Sequence, residues 1–188
     1  MQTISAVQAA HTLLADKVRA SRLLVDATAG NGGDTLFLAR LSPADARVYA
    51  FDIQPRALET TARKLKAASL AGKVSLLLAD HARLDDYITG AVDAAICNLG
   101  YLPGGDHAVT TAAESTATAV EKLTALLAPG GIIAIVAYPG HAAGAEEAQR
   151  LQALLAALSA KHFTACRYAM LNHAPTAPVL YLIEKMRR

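Results

Sequence analysis

Cysteine is scarce, long apolar runs are missing and the charge imbalance is small in this 188-residue chain. Two cysteines, Cys97 and Cys166, cannot build the disulfide framework of a small secreted domain. Both lie in apolar runs, so each reads as a small buried thiol, and the protein as cytoplasmic. The longest strictly apolar stretches, such as Ile132–Ala137, fall well short of the ~18–20 residues of a membrane span. No basic residue precedes Lys17 and no hydrophobic segment follows a charged start, so no secretory signal is expected. No pair of His, Cys or carboxylate residues shows the tight spacing of a zinc site, so no metal is expected. A formal net charge of +2 neither demands nor excludes a nucleic-acid partner. Low-complexity linkers and repeats are absent as well.

What is present is a globular composition. Hydrophobic residues make up 53% and charged ones 18%, which excludes disordered and fibrous classes. At ~150 residues per domain the length fits one domain over residues 1–188, and a chain of this size buries ~70% of its unfolded surface.

Apolar runs alternate with helical patterns along the chain. Strands are expected at Arg22–Asp26, Arg47–Asp52, Val74–Ala79, Val92–Leu99, Gly131–Ala137, Phe163–Leu171 and Val179–Glu184. Helices are expected at Asp34–Leu41, from Pro55 to about Ala71, at Ala112–Leu127 and at Gly144–Ala160. Strands joined by crossover helices give a mostly parallel sheet covered on both faces. The link from Asn172 to Pro178 is too short for a crossover helix, so the last strand is antiparallel. The expected fold is a seven-stranded, doubly wound α/β sheet of Rossmann-like type.

In such sheets ligands bind beyond the carboxyl ends of the strands. The first strand ends in Asp26-Ala27-Thr28-Ala29-Gly30-Asn31-Gly32-Gly33-Asp34, a turn whose glycines let backbone amides approach a ligand. Thr35 stands where a dinucleotide fingerprint has its third glycine. Asp52 follows Gly30 by 22 residues, the spacing of an acid that accepts both ribose hydroxyls of NAD or S-adenosylmethionine. Its alternative is a cap on the helix that Pro55 begins. Asp80 and His81 end the third strand, where adenine-edge contacts fall.

The fourth strand ends in Asn98-Leu99-Gly100-Tyr101-Leu102-Pro103-Gly104-Gly105-Asp106. This segment is reminiscent of the Asn-Pro-Pro-Tyr loop of amino-methyltransferases. A nucleophilic amine needs acceptors that aim its lone pair at a sulfonium methyl group. The Asn98 side-chain oxygen and the Leu99 carbonyl can supply them, and Tyr101 can stack on the base that carries the amine. The general base is open among Asp106, His107, Tyr101 and water. The alternative is a loop turn without chemistry.

Together the Asp26–Asp34 turn, Phe51-Asp52-Ile53-Gln54 and the Asn98–Asp106 run resemble a family of small class I S-adenosylmethionine-dependent enzymes described as rRNA methylases. The family includes bacterial tRNA 5-aminomethyl-2-thiouridine methyltransferases. The resemblance extends from His11-Thr12 to Ile183-Glu184-Lys185. It implies S-adenosylmethionine contacts at Asn31, Asp34, Asp52, Gln54 and His81. Asp26, Gly30, Gly33, Asp80 and Asn98 join that candidate cofactor set. Asp80 stands where relatives often have serine. Asn98, Tyr101 and Asp106 are the candidate catalytic residues, and Leu99, Gly100, Tyr101, Pro103 and His141 the candidate substrate contacts. Tyr138-Pro139-Gly140-His141 departs from a family Tyr-His-Gly-His pattern at Pro139.

The implied activity is methylation of a primary amine on a wobble uridine of tRNA. Alternatives are methylation of rRNA or a small-molecule amine, an NAD-binding oxidoreductase, and a cofactor-binding protein without catalysis. Phosphate contacts dominate nucleic-acid affinity, yet only Arg83, Lys122, Arg150, Lys161 and Arg167 lie between Val74 and Glu184. Lys17, Arg19 and Arg22, or a second subunit in a homodimer, are the expected sources of positive surface.

Overall fold

Strand–helix alternation builds one seven-stranded sheet in the computed structural model, which describes residues 4–100 and 112–187. The chain runs α1 (Ala6–Arg19), β1 (Leu23–Asp26), α2 (Gly33–Leu41), β2 (Arg47–Asp52), α3 (Pro55–Ala67) and β3 (Val74–Leu78). It continues with β4 (Val92–Asn98), α4 (Ala113–Leu126), β5 (Leu127–Ala137), α5 (Ala142–Ala156), β6 (Phe163–Tyr168) and β7 (Val179–Lys185). The strand order is β3-β2-β1-β4-β5-β7-β6. The first five strands pair in parallel, and β7 inserts antiparallel between β5 and β6. The fold matches the sequence expectation, including the antiparallel last strand.

Helices cover both faces, which explains why the central strands are apolar on both sides. Ala10, Leu14 and Val18 of α1, Leu38 of α2 and Leu65 of α3 pack on Leu24, Val48, Ala94, Ile96 and Val136. Val120 and Leu123 of α4 and Leu151 and Leu155 of α5 cover Val25, Ala95, Ile133 and Ile135 on the other face. Among the described residues no helix is long and apolar enough to cross a membrane, and no three His, Cys, Asp or Glu side chains group as a metal site.

Three features depart from expectation. Helix α1 was not anticipated; Ser5 and Gln8 form a reciprocal capping box at its start, and that short signal precedes a weakly amphipathic stretch. Helix α4 ends at Leu126, and strand pairing begins at once at Leu127, four residues ahead of the expected strand start at Gly131. Four residues of β5 then bulge out between the Val92–Leu127 and Ala94–Ile132 pairs, with Gly130 at φ 72°. Cys97 is buried, whereas Cys166 is exposed. Strand β6 is the sheet edge and is exposed from Thr164 to Tyr168, so the apolar run around Cys166 does not become core.

Candidate active site

The strand order reverses between β1 and β4, and the crevice at such a switch point is the ligand site of open α/β sheets. A cleft of about 970 Å³ opens there. Its floor is the turn from β1 into α2. Gly32 has φ 79°, and a Cβ at that position would lie 2.7 Å from the Thr61 hydroxyl oxygen of α3, so only glycine fits. The Thr61 hydroxyl donates to the Gly30 carbonyl at 3.1 Å, and Lys64 Nζ donates to the Asn31 carbonyl at 2.6 Å. Helix α3 thus holds the turn from behind.

Asp52 holds it from the side. Its carboxylate accepts the Gly30 amide at 2.8 Å and the Gln54 amide at 2.9 Å, while the residue lines the cleft. Each oxygen keeps a further lone pair for a ligand. The capping alternative does not describe this geometry. Gln54 is the N-cap of α3 and no side chain caps that helix.

Asp26 requires a correction as a candidate cofactor contact. It is fully buried and does not line the cleft. Its carboxyl accepts the Thr28 amide at 3.0 Å and the Thr35 hydroxyl at 2.5 Å, so it supports the turn from below. Burial, then the charge of Asp34, push its pKa up to about 7 against the opposing hydrogen bonds of Thr35 and Thr28, and Asp52 adds to the rise. Thr35 therefore has a task where a dinucleotide site would carry glycine.

Asp34 begins a chain of contacts that reaches β4. Its Oδ1 accepts His11 Nε2–H of α1 at 2.5 Å, and its Oδ2 accepts Asn98 Nδ2–H at 3.2 Å. The His11 ring stacks parallel on Phe37 with centroids 4.0 Å apart. The Asn98 amide N–H donates to Thr28 Oγ1 at 2.7 Å. With its NH2 committed to a carboxylate, the Asn98 side chain must present its carbonyl oxygen the other way. Among the described residues that buried Oδ1 has no hydrogen-bond partner, an expensive condition unless a ligand donates to it.

His81 offers a second such acceptor. Its Nδ1–H donates to the Ala27 carbonyl at 3.1 Å, which leaves the lone pair on Nε2, and the buried Nε2 has no partner among the described residues. Burial holds its pKa below the usual histidine range, against the Ala27 carbonyl and the carboxylates of Asp80 and Asp52, so the ring is neutral at pH 7. Asp80 Oδ1 accepts the Ser115 hydroxyl at 2.5 Å and the Ala82 amide at 2.8 Å. Burial opposes ionisation of Asp80, these two bonds and the neighbouring His81 favour it, and the carboxyl stays below the usual range.

Gly30, Asn31, Gly33, Gln54, Leu99, Gly100 and His141 also line the cleft. His141 caps α5 by accepting the Gly144 amide on Nδ1 at 3.1 Å. Sequence reasoning missed His11, Thr28, Ser115 and Tyr138 as cleft residues. The turn that contains Thr28, the resemblance that starts at His11 and the Tyr138–His141 match touched three of them without giving them a role. Burial, and next Asp34, raise the Tyr138 pKa, so it stays a phenol. Burial drives the Cys97 thiol pKa upward, which removes it as a nucleophile. Tyr101, Pro103, Asp106 and His107 lie outside the described residues.

The charge pattern selects among cofactors. A dinucleotide places its pyrophosphate at the N-terminus of the first helix, but here Asp34 occupies the first turn of α2, with Asp26 and Asp52 nearby. Negative groups in that position repel a pyrophosphate and attract a cation. Ribose acceptors at Asp52 and a cation-favouring floor suit S-adenosylmethionine.

Comparison with known proteins agrees. Residues 48–184 match the family described as "Putative rRNA methylase". An Arabidopsis thaliana protein named tRNA (mnm(5)s(2)U34)-methyltransferase, chloroplastic, is 33% identical over 96% of this chain and 69% of its own length. A Clostridium thermocellum structure carrying the family's description superposes with TM-score 0.93 at 37% identity, over 99% of this chain and 100% of the other. A Streptococcus mutans structure solved in complex with SAH gives TM-score 0.88 at 35% identity, over 98% and 100%.

Proposed function

Because the chain belongs to this rRNA-methylase family and is an S-adenosylmethionine-dependent methyltransferase, we propose that it methylates the aminomethyl nitrogen of a modified wobble uridine in tRNA. The substrate would be 5-aminomethyl-2-thiouridine and the product its methylaminomethyl counterpart. The observation that carries this reading is Asn98 Oδ1, a buried acceptor turned from Asp34 and left for an N–H donor. The relative's name supports a wobble-uridine substrate, and the family's description keeps rRNA as the second reading. One protein domain over residues 1–188 carries the reaction. A cytoplasmic location suits its two free cysteines, one of them exposed.

When bound, S-adenosylmethionine supplies a methyl group on a sulfonium sulfur, already activated for displacement. The residues of this chain have the remaining tasks. Asp52 takes the ribose hydroxyls, and His81 Nε2 and Asp80 meet the adenine edge. Asn98 Oδ1 and the Leu99 carbonyl accept the two N–H bonds of a neutral amine, which turns its lone pair in one direction. The amine nitrogen gains positive charge as it is methylated. Asp34, directly behind Asn98, stabilises that charge. The proton then leaves to water from the secondary ammonium, so no thiol or metal is required. Partial burial of the cleft lowers the amine pKa and favours the attacking form.

Single-turnover methylation of undermodified tRNA tests this. Asn98→Ala should lower the rate on the order of 10²-fold, the cost of a misaligned attack, with SAH affinity retained. The backbone bond from residue 98 to Thr28 survives in that variant. A wild-type rate would remove amine orientation from Asn98. Nucleoside mass spectrometry of tRNA and rRNA from a deletion strain separates the two RNA readings.

A further inference from the structure

Ion pairs decide which of the chain's cations remain available to a partner. Arg19 pairs with Asp16 and Arg22 with Asp45, so the amino-terminal cluster is mostly neutralised. Arg83, Lys122 and Arg150 are paired with Asp86, Asp85 and Glu114. Helix α3 differs from every other helix. It carries Arg56, Arg63, Lys64 and Lys66 against one acid, Glu59, and among the described residues none of its four cations contacts a carboxylate. Helices α1 and α2 each nearly balance, while α4 and α5 carry an excess of acid. Among the helices α3 therefore carries the largest positive charge; the other cationic segment, with Lys161, Arg167, Lys185, Arg187 and Arg188 against Glu184, belongs to β6, β7 and the residues flanking them, at the other end of the strand order from β2 and β3.

The placement of this helix matters as much as its charge. Gln54, its N-cap, lines the cleft, and Lys64 is bonded to the carbonyl of Asn31, another lining residue. Arg56, Arg63 and Lys66 are exposed. They fall on one stripe at helical spacing that starts at the cleft rim and runs ~15 Å along the axis.

We propose that the exposed face of α3 is the phosphate-docking surface for the RNA that the cleft methylates. The partner class rests on the reading given under Proposed function; the surface rests on the charge distribution. A row of unpaired cations leading from the rim neutralises backbone phosphates flanking the target nucleotide and releases their counterions. Arginine forks match phosphate oxygens in pairs. Sequence discrimination is left to the cleft, because phosphate contacts position without reading bases.

The test replaces Arg56, Arg63 and Lys66 together by Gln and measures binding of undermodified tRNA by fluorescence anisotropy from 50 to 300 mM KCl. Lys64 is spared because it supports the cofactor turn. The slope of log affinity against log salt should fall by about 2 to 3, and affinity at low salt by about tenfold or more. SAH affinity and methyl transfer to free 5-aminomethyl-2-thiouridine nucleoside should match wild type. A control with Lys161, Arg167 and Arg187 changed to Gln loses the same charge and should lose much less binding. Equal losses in both triple variants would reduce the effect to net charge and overturn the surface, as would wild-type tRNA binding by the α3 variant. Wild-type protein that binds tRNA through α3 but transfers no methyl to the aminomethyl nucleoside would overturn the substrate reading and leave the surface standing. Anionic lipid vesicles bound in place of RNA would overturn the partner.

Discussion

Replacing Asp52 by Ala should weaken the cofactor site in two separable ways. The carboxylate accepts two backbone amides, from Gly30 at 2.8 Å and Gln54 at 2.9 Å, and it faces the cleft. Removing it strips two amides of a charged acceptor in a half-buried place, at a cost of ~1–3 kcal/mol after allowance for water access. For a chain of this size that is a fall in Tm of roughly 3–10 °C. Cofactor affinity loses the ribose acceptor as well, ~2–4 kcal/mol, or tens- to several-hundred-fold. Isothermal titration with SAH gives the affinity and differential scanning calorimetry the stability. Asp52→Asn discriminates the two roles. One oxygen remains to hold one turn amide, so stability should be partly restored while ribose binding stays poor. A folded Asp52→Ala protein with wild-type SAH affinity would refute the ribose assignment and leave Asp52 only its support of the turn.

Gly32→Ala should lower stability by ~1–3 kcal/mol in urea unfolding, because the residue sits at φ 79° with the Thr61 side chain 2.7 Å from the new Cβ; a change under ~0.5 kcal/mol would show that α3 can retreat. His11→Ala removes both the bond to Asp34 and the stack on Phe37. With Asp34 less restrained, kcat should fall about tenfold while the KM for tRNA stays close to wild type, and an unchanged kcat would disconnect α1 from the chemistry.

The sheet was legible because its signal is local. Buried parallel strands are short apolar runs between turn residues, and the intervals between the first six are long enough for a crossover, while the short Asn172–Pro178 link marks the antiparallel pair. The site residues at strand ends followed from topology, since Asp52, Asp80, His81 and Asn98 are each the last residue of a strand or within three of it. What escaped was set by tertiary partners. His11 reaches the site only because α1 packs across β4 and β5, and no spacing rule connects positions 11, 34 and 98. Asp26 looked like a ligand contact by position, but its depth below the turn depends on how Thr35 folds back over it. Cys166 looked like core by its neighbours, and only the sheet order reveals that β6 is an edge strand. Sequence patterns report which face of a strand is apolar; they do not report whether the fold supplies a cover.

Asp26 also allows a test of the cation-selecting floor. Its carboxyl pKa rises from an ordinary 3.8 to about 7 in the folded chain, first through burial and next through Asp34, with the Thr35 and Thr28 bonds opposing and Asp52 adding. The folded state therefore binds this proton more tightly than the unfolded state. Its contribution to stability is fully present below pH 3.8 and is lost as pH rises through about 7. Asp26→Asn keeps an acceptor for the Thr28 amide and offers an NH2 to Thr35. Its stability should thus be flatter than that of the wild type between those two pH values. The same proton links to ligand charge. A cationic ligand over this floor favours ionised Asp26, whereas the sulfur of SAH carries no charge, so S-adenosylmethionine affinity should rise with pH through about 7 more steeply than SAH affinity. Titrations in buffers of different ionisation enthalpy should show proton release with S-adenosylmethionine near neutrality, and Asp26→Asn should remove the difference between the two ligands. Identical pH profiles for both ligands in the wild type would mean that the carboxylate floor does not sense the sulfonium, and the electrostatic argument for a cationic cofactor would fail with it.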